Sequence, residues 1–233
     1  MSKTGKIVQI VLLVAVVAAG VRLYFYFHNR QVGFVAPPKQ QEVALDADAY
    51  ISPKKLHPQD VKDAKELTRQ PVWVRAGYQI AYYQFNGHTD FKHQAGRLAP
   101  IQKLQISDVV VDRPPEGDKQ VMAVFEDDCR HYSFPIGVAE SNGYKIYSDD
   151  ILFIQDPHKL YKQWPAPVWQ AIDNHEVKPG MNELQASFAI GVGIPEGTGA
   201  SNPRVVDYPN NGHALRVTFE NGKATEITPG AAS

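Results

Sequence analysis

The chain has 233 residues, a formal net charge of −1, 10% aromatic residues, 17 prolines and one cysteine. Near-neutral charge excludes a broad field for nucleic acid, and a lone cysteine excludes an internal disulfide and with it a stapled secreted scaffold. The aromatic and proline content points to a folded, turn-rich domain and away from a disordered tail.

The first feature in the chain is the apolar stretch Ile7 to Phe27, IVQIVLLVAVVAAGVRLYFYF. As a helix it would be about 30 Å long, which matches the hydrocarbon core of a bilayer. Lys3 and Lys6 precede it, so it reads either as a cleaved signal peptide, with Ala18, Ala19 and Gly20 near the cleavage site, or as an uncleaved anchor. The run continues into Tyr24, Phe25, Tyr26 and Phe27. Such aromatics suit the headgroup belt, and Arg22 is near enough to that end to snorkel. The anchor is therefore the favoured reading. The expected organisation is a transmembrane signal-anchor over 1–30, touching the membrane through 7–27, with the bulk of the chain in the periplasm.

Residues 31–56 are mixed and proline-punctuated, an expected linker. A β-rich domain is expected over 57–155. It opens with about two helical turns from His57 to Leu67, where Val61, Ala64 and Leu67 share a face. Six short runs rich in β-branched and aromatic residues follow: PVWVRA, YQIAYYQF, IQKLQISDVVV, KQVMAVFE, HYSFPIGV and YKIYSDDILFI. Turn signals separate them, among them Asn86-Gly87, Pro114-Pro115-Glu116-Gly117 and Asn142-Gly143. This is the pattern of a small antiparallel barrel or curled sheet.

From residue 156 the pattern becomes helical. Asp156-Pro157 is an N-cap with proline at the first helical position. After Pro165 and Pro167 a second helix is expected to bury Val168, Trp169 and Ile172. Asn182-x-x-Gln185 reads as a capping box for a third helix, which carries Leu184, Phe188 and Ala189 and stops at Gly191. A glycine-rich loop, GVGIPEGTGASNP, leads to RVVDY, a PNNG turn, HALRVTFE, an Asn221-Gly222 turn and ATEI. Leu215, Val217 and Phe219 alternate with Ala214, Arg216 and Thr218, so one face of that sheet is buried. The tail, 229–233, is expected to fray.

On VKPGM, the short capped helix ending at Gly191, and ALRVTFENGKATEI, the region from about 168 to 227 resembles the BamE (small protein A) family of outer-membrane assembly proteins. The resemblance implies two helices against a three-stranded antiparallel sheet over 156–228, acting as a non-catalytic extracytoplasmic adaptor. The chain departs from that family in its β-rich middle and in having an apolar span where the family has a lipidated cysteine. The whole is thus expected to be α+β.

Three groups of residues carry possible chemistry. His88, Asp90 and His93 offer zinc-type ligands within six residues, against a plain polar loop after Asn86-Gly87. Cys129 and His131 would share a strand face as nucleophile and base, yet the acidic neighbours Asp127 and Asp128 oppose a thiolate, so a charged turn with an inert thiol is favoured. Asp149 and Asp150, with Asp156, read as a capping cluster and not as a calcium loop. Trp73, Tyr82, Tyr83, Tyr161, Trp164 and Trp169 are core aromatics or a docking patch. The favoured function is an adaptor or accessory subunit of a bacterial cell-envelope complex, partnered by other envelope or membrane proteins, without nucleic acid or cofactor. A membrane-tethered metal-binding protein or enzyme, and a small-ligand binder, stand as alternatives.

Overall fold

The computed structural model describes residues 20–24, 51–197 and 201–230. Most of the expected anchor, and most of the expected linker, lie outside the described residues. Residues 20–24 are helical. Among the described residues no helix is long and apolar enough to cross a membrane. Residues 1–49 and 50–233 are separate compact units, and the second is mixed α+β, mostly sheet.

That unit begins earlier than the sequence pattern indicates. Residues 51–56, expected as the end of a linker, are bound down. The Asp149 carboxylate accepts hydrogen bonds from the backbone N–H groups of Leu56 (3.0 Å) and His57 (2.7 Å). Ile51 packs against the C-terminal core. Helix α1, Val61–Ala64, is capped by the Asp60 side chain and tightens into a 3-10 turn, Lys65–Arg69. Ala64 and Leu67 are fully buried, as their spacing requires.

Strands β1 (Val72–Val74), β4 (Lys103–Leu104) and β9 (Leu152–Phe153) form a three-stranded antiparallel sheet in the order β4-β1-β9. The six-stranded sheet contains β2 (Ala81–Phe85), β3 (Thr89–Arg97), β5 (Ile106–Asp112), β6 (Gln120–Asp127) and β7 (Arg130–Glu140), in the order β3-β2-β7-β6-β5. Its sixth strand, β8 (Gly143–Ile146), pairs with β7. The sheet curls until its two outer strands meet: Thr89 at the start of β3 donates both its N–H and its hydroxyl to Asp112 at the end of β5, each at 2.7 Å. Central β6 is buried on both faces from Val121 to Phe125, hence its continuous apolar run. Val121, Ala123, Phe125, Phe134 and Ile136 build the first core.

The final run before residue 155 contains a helical turn, α2 (Ser148–Ile151), before β9. Helix α3 (Pro157–Leu160) is capped by Asp156 with Pro157 in the first turn. Helix α4 spans Ala166–Asp173 and buries Trp169, Ala171 and Ile172. Helix α5 (Glu183–Ile190) has the reciprocal Asn182–Gln185 capping box. It ends at Gly191, at φ 88°, where a Cβ would come within 2.7 Å of the Gly77 carbonyl oxygen. Helices α4 and α5 pack with a four-stranded antiparallel sheet, β10 (Ile194–Pro195), β11 (Arg204–Tyr208), β12 (Leu215–Glu220) and β13 (Lys223–Pro229), in that order.

Two details of this region differ from expectation. The glycine-rich loop supplies the short outer strand β10, because Gly193 lies directly on Val206 and Tyr208, where a Cβ would come within 2.4 and 2.7 Å of their side chains. Pro229, placed in the fraying tail, ends β13 opposite Leu215, and the Gly230 N–H bonds to Ala214 at 2.8 Å. Residues 231–233 lie outside the described residues.

Candidate functional site

His88 lies in the turn after Asn86-Gly87, as expected, but Asp90 and His93 lie in β3, an outer strand. The sequence hid it because most of the strand is exposed, so it shows no apolar alternation. Between the Tyr83–Gln94 and Phe85–Thr89 pairs the register slips, and the bulged segment turns Asp90 back on itself. Its carboxylate accepts from the Lys92 N–H at 3.2 Å and lies 2.9 Å from His93 Nδ1. The His93 hydrogen bond is the main cause holding Asp90 below the usual carboxylate range. His88 joins only through its carbonyl, which accepts from Asn86 N–H. Among the described residues no group of three His, Cys, Asp or Glu is placed to hold a metal.

Cys129 is exposed and sits in the β6–β7 turn, not on a strand. Asp128 and Cys129 have φ of 48° and 60°, and the flanking Asp127–Arg130 pair closes the hairpin. Two consecutive positive φ values are the mark of a two-residue primed turn. His131 then starts the climb of β7, opposite Glu126. The strand-face argument for a Cys129–His131 pair therefore has no strand under Cys129.

The aromatics divide cleanly. Tyr161, Trp164 and Trp169 are core residues, 4%, 6% and 9% exposed, and with Phe188 they make one cluster of ring contacts 4.5 to 5.3 Å apart. They offer little surface to a partner. Tyr82 crosses the sheet face against Phe125 and Tyr132, over Gly96, where a Cβ would come within 2.7 Å of its hydroxyl. Burial raises the Tyr82 pKa, with smaller contributions from Tyr132 and Asp127. Tyr83 rests on Phe91 at 5.6 Å.

Trp73 is different. It is half-buried on β1, level with Lys103 on one side and Phe153 on the other, and the Lys103 ammonium lies 5.9 Å from its ring centre. A cleft of about 460 Å³ opens against it, lined among others by Ile101, Lys103, Asp156, His158, Asp173 and His175. A second cleft of about 400 Å³, with Pro71, Ile154, Lys159 and Leu160 in its walls, opens on the same indole. Trp73 thus belongs to both.

The polar groups of the first cleft are held firmly. His158 stacks on Trp169 at 4.0 Å, with Nδ1 3.2 Å from Asp156 and Nε2 3.3 Å from Asp173. One carboxylate at each ring nitrogen fixes the orientation of the imidazole. His175 has a φ of 56°, and its Nδ1 lies 3.0 Å from the Ala189 carbonyl oxygen. A carbonyl only accepts, so Nδ1 is the donor in this contact. Its imidazoles, carboxylates and the Lys103 ammonium equip it for hydrogen bonding and ion pairing. No spacing rule finds the His158–Asp173 pair, because α3 and α4 are brought together only by the tertiary fold.

No family model, no curated protein and no solved structure matches this chain.

Proposed function

We propose that this chain is a membrane-anchored, extracytoplasmic adaptor or accessory subunit of a bacterial cell-envelope complex, acting by contact and not by catalysis. In this reading Ile7 to Phe27 is the anchor, 57–155 behaves as a small barrel-like module, and the C-terminal part is the BamE-like module its motifs resemble. The observation that carries the proposal is the position of Trp73, a half-buried indole shared by two open clefts. Tryptophan in a partly desolvated recess is among the residue types enriched as energetic anchors of protein interfaces. Lys103, its ammonium 5.9 Å from the indole centre, and Lys159 in the second cleft supply polar rim contacts.

The test is a mild-detergent purification of the full chain from its native membranes, with co-purifying proteins identified by mass. A stoichiometric set of envelope or membrane proteins is expected, and Trp73→Ala and the surface change Lys103→Glu are each expected to deplete it. Recovery of the chain alone, under conditions that keep other envelope complexes intact, overturns the adaptor reading.

A further inference from the structure

A third cleft, of about 640 Å³, lies where the segment after β1 faces α5 and the strand edge of β10. Its walls include Ala76, Leu184 and Val192, and Val192 is an exposed apolar side chain. Two polar features set it apart. Tyr208 lines it, is 1% exposed, and has a buried hydroxyl with no hydrogen-bond partner among the described residues. A buried hydroxyl left unpaired is a standing cost that an entering acceptor removes. Burial, and then the nearby Glu183 charge, raises the Tyr208 pKa against the opposing pull of Arg204. The phenol therefore stays neutral and is available as a donor.

The second feature is charge. Glu183 lines the cleft but is neutralised by Arg204, whose Nε lies 2.8 Å from its carboxylate. Asp150, at the rim, is 3.9 Å from Lys55. Arg75 stands over the Phe153 ring at 5.5 Å and has no carboxylate partner among the described residues. Its guanidinium is the uncompensated charge of the cleft, and it is a planar fork suited to a carboxylate. Asp150, elsewhere in the lining, disfavours a second negative charge on the ligand.

We propose that this cleft binds a monocarboxylate with an apolar body, the carboxylate meeting Arg75 and the Tyr208 hydroxyl while the body lies along Ala76, Leu184 and Val192. The hydroxyl is shielded from water in the free protein, so entry includes a small displacement of the wall beside it. A free organic acid and the C-terminus of a polypeptide share this chemistry. The site is separate from the Trp73 clefts and stands or falls independently of the adaptor reading.

The test is titration calorimetry of the full chain in a neutral maltoside detergent. One arm uses phenylpropionate against phenylpropionamide. The other uses an acetylated dipeptide ending in phenylalanine, with its C-terminus free or amidated. Saturable one-site binding of at least one carboxylate is expected, about tenfold or more tighter than its amide. Whichever carboxylate binds more tightly names the source. Arg75→Gln and Tyr208→Phe should each weaken it about tenfold, and Lys92→Gln, on β3, should leave it unchanged. Equal binding of acid and amide, wild-type affinity in both variants, or no saturable binding of any carboxylate overturns the proposal.

Discussion

Two buried hydroxyl groups of similar burial should respond in opposite ways to removal. Tyr208 Oη has no partner among the described residues, so Tyr208→Phe takes away an unmet desolvation cost of about 1–3 kcal/mol and leaves the shape unchanged. Its melting temperature should equal or exceed that of the wild type. Thr89 Oγ1 bonds Asp112 at 2.7 Å and lies 2.9 Å from the Ser133 hydroxyl. Thr89→Val leaves Asp112 only the Thr89 N–H, takes the Thr89 partner from Ser133, and should cost about 1–3 kcal/mol by denaturant titration. A stabilised Thr89→Val would sink this account. The exposed pair on β11 and β12 carries a pH dependence. Arg216 donates to both Asp207 oxygens at 2.8 Å, and that hydrogen bonding holds the Asp207 carboxyl below its usual range. A depressed carboxylate stabilises fully above its unfolded pKa, about 3.9, and the contribution is lost as pH falls through the lower folded value. Arg216→Gln should therefore melt below the wild type at neutral pH, with the gap closing as pH falls below about 4. A gap that persists at the lowest pH argues against the pair as its source.

At the scale of elements the turns decide most. Asn221 and Gly222 take φ of 51° and 74°, the demand that Asn-Gly meets best, and the sequence announces that hairpin plainly. The β6–β7 hairpin makes the same demand of Asp128 and Cys129. Cysteine pays a left-handed penalty of about 1–2 kcal/mol that glycine does not. Cys129→Gly should therefore raise the melting temperature, and a lowered one would mean that the thiol makes a contact the turn needs. What was legible follows from the same physics. Strands with one buried face or two announce themselves, as β6 and β12 do, and caps at Asp156 and Asn182 fix two helix starts. Strand β3 was illegible because most of its residues face solvent, and β10 because two residues held by close packing on Gly193 have no period. Of the candidate site, Trp73 was visible as an aromatic in a strand run. His158, Asp173, His175 and Tyr208 were not, since their meaning comes from neighbours distant in sequence.

At the scale of the whole unit, the expected division at residue 155 runs beside a wall that two cores share. In the sheet β4-β1-β9, Val72, Val74, Leu104 and Leu152 face the first core, while Trp73 and Phe153 pack with the second. Leu152 and Phe153 are adjacent, so a single strand has one side chain in each core. Ile51 and Ile101 also reach the second core from the N-terminal side. A chain starting at residue 156 would lose Phe153 and Trp73 from the second core and uncover Phe188, whose ring Phe153 meets at 5.6 Å. Each large side chain so uncovered forfeits about 1.5–3 kcal/mol, a large share of the total stability of a domain of this size. Residues 50–233 should therefore unfold in one transition, coincident by tryptophan fluorescence and by far-ultraviolet dichroism. Phe153→Ala should lower that one midpoint, by about 3–5 kcal/mol, without splitting it. Two resolved transitions, with only the later one moved by the substitution, would mean that the wall divides the cores and does not join them.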